Sequence, residues 1–149
     1  MKSDTVTLRE VTGDNLNEVL RLSVTEAQNA YVAPNAVSIA QAHYSDNAWY
    51  RAIYAGETPV GFVMVSVDTQ KPEYMLWRYM IDHRHQGRGY GRQALRLVMD
   101  HIRTLPGADT FYLSCVPGDG GPEGFYRGMG FVPTGDWDDD EMIMVLALS

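Results

Sequence analysis

Hydrophobic positions along this chain follow two different periods, and the points where one gives way to the other mark its elements. Val6, Leu8 and Glu10 alternate with Thr7 and Arg9, which predicts a first strand with one wet face. Leu16, Val19, Leu20 and Val24 then recur at helical spacing, with Asp14 placed to cap them. After an irregular Tyr31-Val32-Ala33-Pro34-Asn35 segment, Ser38 and Gln41 form a capping-box pattern for a second short helix through Tyr44. Trp49 to Tyr54 and Val60 to Val67 are rich in aromatic and β-branched residues and flank Gly56-Glu57-Thr58-Pro59, so they predict a hairpin. Tyr74 to Ile81 predicts the next strand.

From Gly89 to Leu105 the period becomes helical again. Ala94, Leu95, Val98, Ile102 and Leu105 fall on one face, while Arg92, Arg96, Asp100 and Arg103 lie elsewhere. Thr110 to Val116 predicts a strand, Pro122 to Gly128 a short helix with Pro near its first turn, and Glu141 to Leu148 a last strand. The charge run Asp136, Asp138, Asp139, Asp140 and Glu141 reads as a solvated loop, with a rim that attracts amines as the sharper alternative. No repeat, low-complexity tract or linker interrupts this order, so residues 1–149 are expected to form one domain. Its class is α/β: a mixed, largely antiparallel sheet flanked by helices, with at least one strand-helix-strand crossover.

Composition narrows the partners. No apolar run approaches the roughly 18 residues of a membrane span, and the N-terminus has no apolar stretch behind a basic one, so a cytoplasmic protein without a membrane partner is expected. A net charge of −7 argues against a nucleic-acid backbone and suits a cationic substrate. The lone Cys115 cannot form an internal disulfide and reads as buried packing rather than a nucleophile. The four histidines lack cysteine partners at zinc-ligand spacing, so no metal is expected. His83 and His85 read as solvated loop residues. Trp49, Trp77, Tyr50, Tyr54, Tyr74 and Tyr79 read as strand packing, although aromatic faces also attract ammonium groups.

The chemistry concentrates in Gln86-Gly87-Arg88-Gly89-Tyr90-Gly91, between a strand and the amphipathic helix. Glycines let backbone approach a ligand closely, and the first helical turn offers unpaired N–H groups at the positive end of the dipole. Together they make a pyrophosphate site; the competing reading is a turn that only joins strand to helix. A dinucleotide fold would place the glycines after the first strand of a parallel set, and a Walker loop would need Gly-Lys-Ser or Gly-Lys-Thr, which is absent.

These residues resemble the GCN5-related N-acetyltransferase (GNAT) family, whose signature is Arg or Gln, two residues, Gly, one residue, then Gly or Ala: here Gln86, Gly89 and Gly91. The strand Leu76-Trp77-Arg78-Tyr79-Met80-Ile81-Asp82 and the run Phe125-Tyr126-Arg127-Gly128-Met129-Gly130-Phe131 match the family in order, so the resemblance covers nearly the whole chain. Tyr31-Val32-Ala33-Pro34, the Leu-Trp-Arg strand and a Glu near the last strand look most like bacterial diamine and spermidine/spermine acetyltransferases.

The resemblance implies central strands splayed to hold CoA, and direct transfer of acetyl from acetyl-CoA to a primary amine, such as that of a polyamine, without an acetyl-enzyme. It implies that N–H groups of Arg88, Gly89, Tyr90, Gly91 and Arg92 hold the pyrophosphate, that Gln86 sets the loop, that Gly87 belongs to the cofactor-binding residues, and that the Met80 and Ile81 main chain pairs with the pantetheine arm. Locally Tyr126 reads as a core tyrosine; the resemblance makes it the acid that protonates the thiolate. Asp119 stands where many members carry an Asn touching pantetheine, and Trp77 and Arg78 stand where many carry a carboxylate base. Candidates for that base are Glu73, Glu26, Glu141 or a water chain. A CoA-binding sensor without transfer, and transfer to a peptide, amino acid or aminoglycoside, are the alternatives. Dimers are common in the family, and the C-terminal strand could support one.

Overall fold

Runs of β-branched and aromatic residues pair here as their spacing demands. The computed structural model describes residues 5–25, 33–118 and 120–148. Seven strands are numbered in chain order: β1 Val6–Arg9, β2 Ala48–Ala55, β3 Thr58–Asp68, β4 Glu73–Ile81, β5 Thr110–Cys115, β6 Val132–Asp138 and β7 Glu141–Ala147. They form one sheet in the order β1-β2-β3-β4-β5-β7-β6. Every neighbouring pair is antiparallel except β4 and β5, which are parallel. The helices are α1 Leu16–Arg21, α2 Asn35–His43, α3 Tyr90–Arg103 and α4 Glu123–Gly128, and α3 is the crossover that a parallel pair requires. No helix among the described residues is long and apolar enough to cross a membrane.

The sheet buries both faces. On one, Val63, Val65, Leu76, Phe111 and Leu113 pack against Ala94, Leu95, Val98 and Ile102 of α3. On the other, Phe62, Met64 and Met80 pack with Val19 of α1 and Ala42 of α2. Burying each large apolar side chain is worth about 1.5–3 kcal/mol, so packing rather than helix propensity fixes where α3 begins and how it points.

One irregularity positions everything that follows. Along the β3–β4 ladder Val65 faces Leu76 and Met64 faces Arg78, so Trp77 is an extra residue, a β-bulge. On the opposite edge of β4, pairing with β5 is confined to Met75–Tyr112 and Leu76–Leu113. Beyond this point β4 follows β3, β5 stays with β7 as far as Cys115–Met142, and a gap opens between the two interior strands.

Several local expectations are corrected. Asn15, not Asp14, occupies the α1 N-cap, and its side chain accepts from the Thr12 N–H instead. The helix stops at Arg21 because Ser23 is drawn into hydrogen bonds with Asp82 and His83, short of the predicted Val24. Ser38 is not a cap: α2 begins right after Pro34, and Ser38 lies inside it with its hydroxyl turned back to the Pro34 carbonyl. The acidic run belongs to the β6–β7 hairpin rather than to a loop.

Candidate functional site

The strand-to-helix loop is built for close backbone approach. Asp82 follows β4 and caps a 3₁₀ turn, His83–His85, by accepting from the Arg84 N–H. The Gln86 amide donates to the Ile81 carbonyl at 2.8 Å, closing the loop across its base. Gly87 and Gly89 have φ of 77° and 82°, the left-handed region where a side chain is strained. Gly89 is the N-cap of α3, so the N–H groups of the next turn point out of the helix without intrahelical partners. They open on a cleft of about 420 Å³ lined by residues that include Ile81, Gln86, Gly87, Gly89, Gly91 and Tyr126. Arg84, Arg88 and Arg92 are exposed around this loop, adding positive charge to the helix dipole. Such an arrangement fits a pyrophosphate carried on a long apolar arm.

Two residues, Tyr79 and Asp82, hold the loop in place. The Tyr79 hydroxyl on β4 donates to the Gly91 carbonyl in the first turn of α3. Asp82, with no exposed surface, accepts from the Ser23 N–H at 2.8 Å and from Arg84 Nε at 2.9 Å. Burial alone would raise its carboxyl, but the hydrogen bonds from the Arg84 side chain, Ser23 and the Arg84 N–H, with the Arg84 charge, outweigh it and hold Asp82 below the usual carboxylate range.

A second cleft, of about 800 Å³, lies along the gap and is lined among others by Trp77, Arg78, Ser114, Tyr126, Asp138 and Glu141. Tyr79, Pro122 and Tyr126 line both clefts. Tyr126 stands on α4 with its ring edge-on to Phe125 at 5.5 Å and to Phe131 at 5.9 Å between centroids. Its burial, then the neighbouring Cys115, pushes the phenol well above its ordinary range. The hydroxyl therefore keeps its proton across physiological pH. Burial likewise raises Cys115, with Glu123 and Glu141 adding to it, so its thiol stays protonated and packed.

The expected site residues divide by location. Met80, Ile81, Gln86, Gly87, Gly89, Tyr90, Gly91, Arg92 and Tyr126 come together around the first cleft, and exposed Arg88 lies within the same loop. The Met80 carbonyl, however, faces β3: a Cβ on Gly61 would meet it at 2.4 Å. The Asp82 N–H also bonds across to Val60, so by strand alternation Ile81 and Tyr79, not Met80, direct main-chain groups at the gap. Glu73, exposed at the far end of β4, lines neither cleft. Glu26 and Asp119 lie outside the described residues, as do Tyr31 and Val32.

Sequence reasoning missed Asp82, whose partner Ser23 is 59 residues away and leaves no local signature. It also missed Ser114, for which alternation in β5 gave only a strand position. Arg78 replaces the expected strand carboxylate, and its setting is unusual: it sits in the second cleft with its Nε buried and without a hydrogen-bond partner, while Nη2 donates to Gln41. Burial lowers its guanidinium and Glu141 opposes that shift, which places a positive and a negative group in one cleft.

Residues 16–131 match the acetyltransferase (GNAT) family. The spermine/spermidine N(1)-acetyltransferase of Bacillus subtilis (strain 168) is 28% identical over 153 aligned positions, covering 96% of this chain and 99% of that protein. Among solved structures, the spermidine N-acetyltransferase of Vibrio cholerae in complex with CoA and spermine superposes with a TM-score of 0.73 at 17% identity, over 96% of this chain and 95% of that one. The PaiA N-acetyltransferase of Thermoplasma acidophilum in complex with coenzyme A gives a TM-score of 0.71 at 16% identity, over 96% of this chain and 99% of that one. The matched region contains the glycine loop, the parted strands and Tyr126: the chain belongs to the acetyltransferase (GNAT) family and is an acyltransferase whose donor is acetyl-CoA.

Proposed function

We propose that the protein acetylates a primary amine of a small polyamine, such as spermidine or spermine, by direct attack within a ternary complex. The observation that carries this reading is the position of Tyr126 between a cleft lined by glycines and Arg92 and a cleft edged by Asp138, Asp140 and Glu141. The first suits an anionic thioester and the second a cation, so donor and acceptor meet beside one phenol. The Bacillus subtilis relative, named for spermine and spermidine, supports the acceptor class.

In this reading the N–H groups of Arg88 to Arg92 bind the pyrophosphate, Gln86 fixes the loop, and the main chain of Ile81 and Tyr79 pairs with the pantetheine arm. Holding the two reactants at the gap makes the attack effectively unimolecular, and Tyr126 supplies a proton to the departing sulfur. Arg78 favours a second reading, an amino acid or peptide acceptor whose carboxylate would satisfy the buried Nε. An acceptor screen that follows CoA thiol release with polyamines, amino acids, peptides and aminoglycosides tests both. Turnover confined to acceptors carrying a carboxylate would replace the polyamine assignment.

A further inference from the structure

Transfer to an amine requires that the ammonium first lose a proton, and the strand positions that could have provided a carboxylate are occupied by Trp77 and Arg78. A carboxylate base must then come from the walls of the second cleft. Asp138 and Asp140 there are exposed, on or beside the β6–β7 turn, where Asp139 takes a φ of 57°. Glu123 of α4 is already committed to Arg127 and to the Gly118 N–H. Glu141 differs from all of these. It opens β7, a strand held from both sides, by the Cys115–Met142 register against β5 and by the Asp138–Glu141 register against β6. It is half-buried, lines the same cleft as Tyr126, and forms no ion pair with another described residue. The Ser114 hydroxyl donates to its Oε1 at 3.4 Å, orienting one oxygen and leaving the other available.

We infer that Glu141 is the general base that deprotonates the acceptor amine; the inference rests on the acetyl-transfer reading above. One carboxylate oxygen takes a proton from the ammonium. The freed nitrogen pair forms the C–N bond at the thioester carbonyl carbon, and the C–S bond breaks with its pair on sulfur. Tyr126 gives its proton to sulfur, the second nitrogen proton returns through water to the Tyr126 oxygen, and the proton on Glu141 leaves to solvent. One amide, one CoA thiol and one released proton balance the reaction. The charged and titratable groups around Glu141 are Arg78 from β4, Cys115 from β5, Tyr126 from α4, and Asp138 and Asp140 from the hairpin. The two aspartates hold the incoming cation.

The test compares wild type, Glu141→Gln and Glu141→Asp in acetyl transfer to spermidine, and to any other amine the wild type accepts, between about pH 6 and about pH 10. Aliphatic amines have pKa values near 10, so at neutral pH only about one molecule in a thousand is free base and a base residue matters most there. The expected result is a kcat for Glu141→Gln lower by about 100-fold or more at neutral pH, a deficit that narrows as pH rises, and an intermediate rate for Glu141→Asp. Acetyl-CoA affinity by calorimetry and melting temperature stay at wild-type values. Unchanged kcat with raised KM would mean that Glu141 only attracts the cation and would overturn the assignment. So would a deficit independent of pH, or a loss of acetyl-CoA binding. If the wild type refuses polyamines but acetylates another amine, the polyamine reading fails alone, and the same comparison on that amine still decides Glu141. A wild type inactive on every amine sinks both.

Discussion

The Tyr79 hydroxyl donates to the Gly91 carbonyl, so the strand before the glycine loop is tied directly to the first turn of the helix after it. The Tyr79 ring also lies nearly parallel to Phe125 at 6.2 Å between centroids, which extends the tie to α4. Tyr79→Phe keeps the ring and removes the tether. A net loss of about 1 kcal/mol is expected, a fall in melting temperature of about 2–4 °C at this chain length, with acetyl-CoA binding weakened several-fold because the loop loses its brace. Calorimetry and a melting curve on the same sample check this; unchanged acetyl-CoA affinity would remove Tyr79 from loop positioning.

Gly89 separates steric approach from backbone strain. A Cβ there would meet nothing nearer than Gln93 Nε2 at 3.8 Å, but its φ of 82° strains any β-branched residue. Gly89→Val is expected to fold at a cost of about 1–2 kcal/mol and to lose at least about tenfold in acetyl-CoA affinity. Gly89→Asn, which tolerates the left-handed region better, should recover most of the stability and little of the affinity. A folded Gly89→Val protein that binds acetyl-CoA like wild type would place the pyrophosphate elsewhere.

Much of this frame is legible along the chain, because the forces that set it are local. The spacing of Ala94, Leu95, Val98 and Ile102 states which side of α3 is buried, and the turn after Ala55 fixes the β2–β3 hairpin. β6 is illegible for a physical reason: Pro133, Gly135 and two acids would disqualify an interior strand, yet an exposed edge strand tolerates all of them. The bulge at Trp77 is equally hidden, since an extra residue is defined only against a partner. Within the site, the glycine loop and Tyr126 stood out through their motifs, whereas Asp82 took its role from a distant contact with Ser23.

Tyr126 supports a kinetic prediction. Tyr126→Phe preserves the packing against Phe125 and Phe131 and deletes only the hydroxyl, which makes no hydrogen bond with another described residue. Stability should therefore hold, while kcat falls by about 100- to 10,000-fold and acetyl-CoA affinity stays nearly constant. A change in kcat smaller than about threefold in the stable variant would end the general-acid assignment.

Asp82 makes stability depend on pH. Its folded pKa is depressed, so its contribution is complete above the unfolded carboxylate value, near pH 4, and disappears as pH falls through the lower folded value. Asp82→Asn should cost about 2 kcal/mol at neutral pH, since it replaces charge-assisted hydrogen bonds in a buried setting. Denaturant unfolding of both proteins between about pH 2 and about pH 7 should show the gap closing in the acid range. A constant difference across that range would mean that Asp82 acts through packing alone.

The parting of β4 from β5 has one more consequence. Two strands in the middle of a sheet each keep an edge that no neighbouring strand pairs, a liability that proteins usually confine to the outside. Here the opening is flanked by the start of α3 and by α4, whose residues line the cleft that adjoins it. The sheet is in effect built one rung short; in the proposed reading the pantetheine arm adds that rung, and any ligand that binds only the folded chain stabilises it by mass action. Melting temperature should climb with acetyl-CoA concentration even when no acceptor is present.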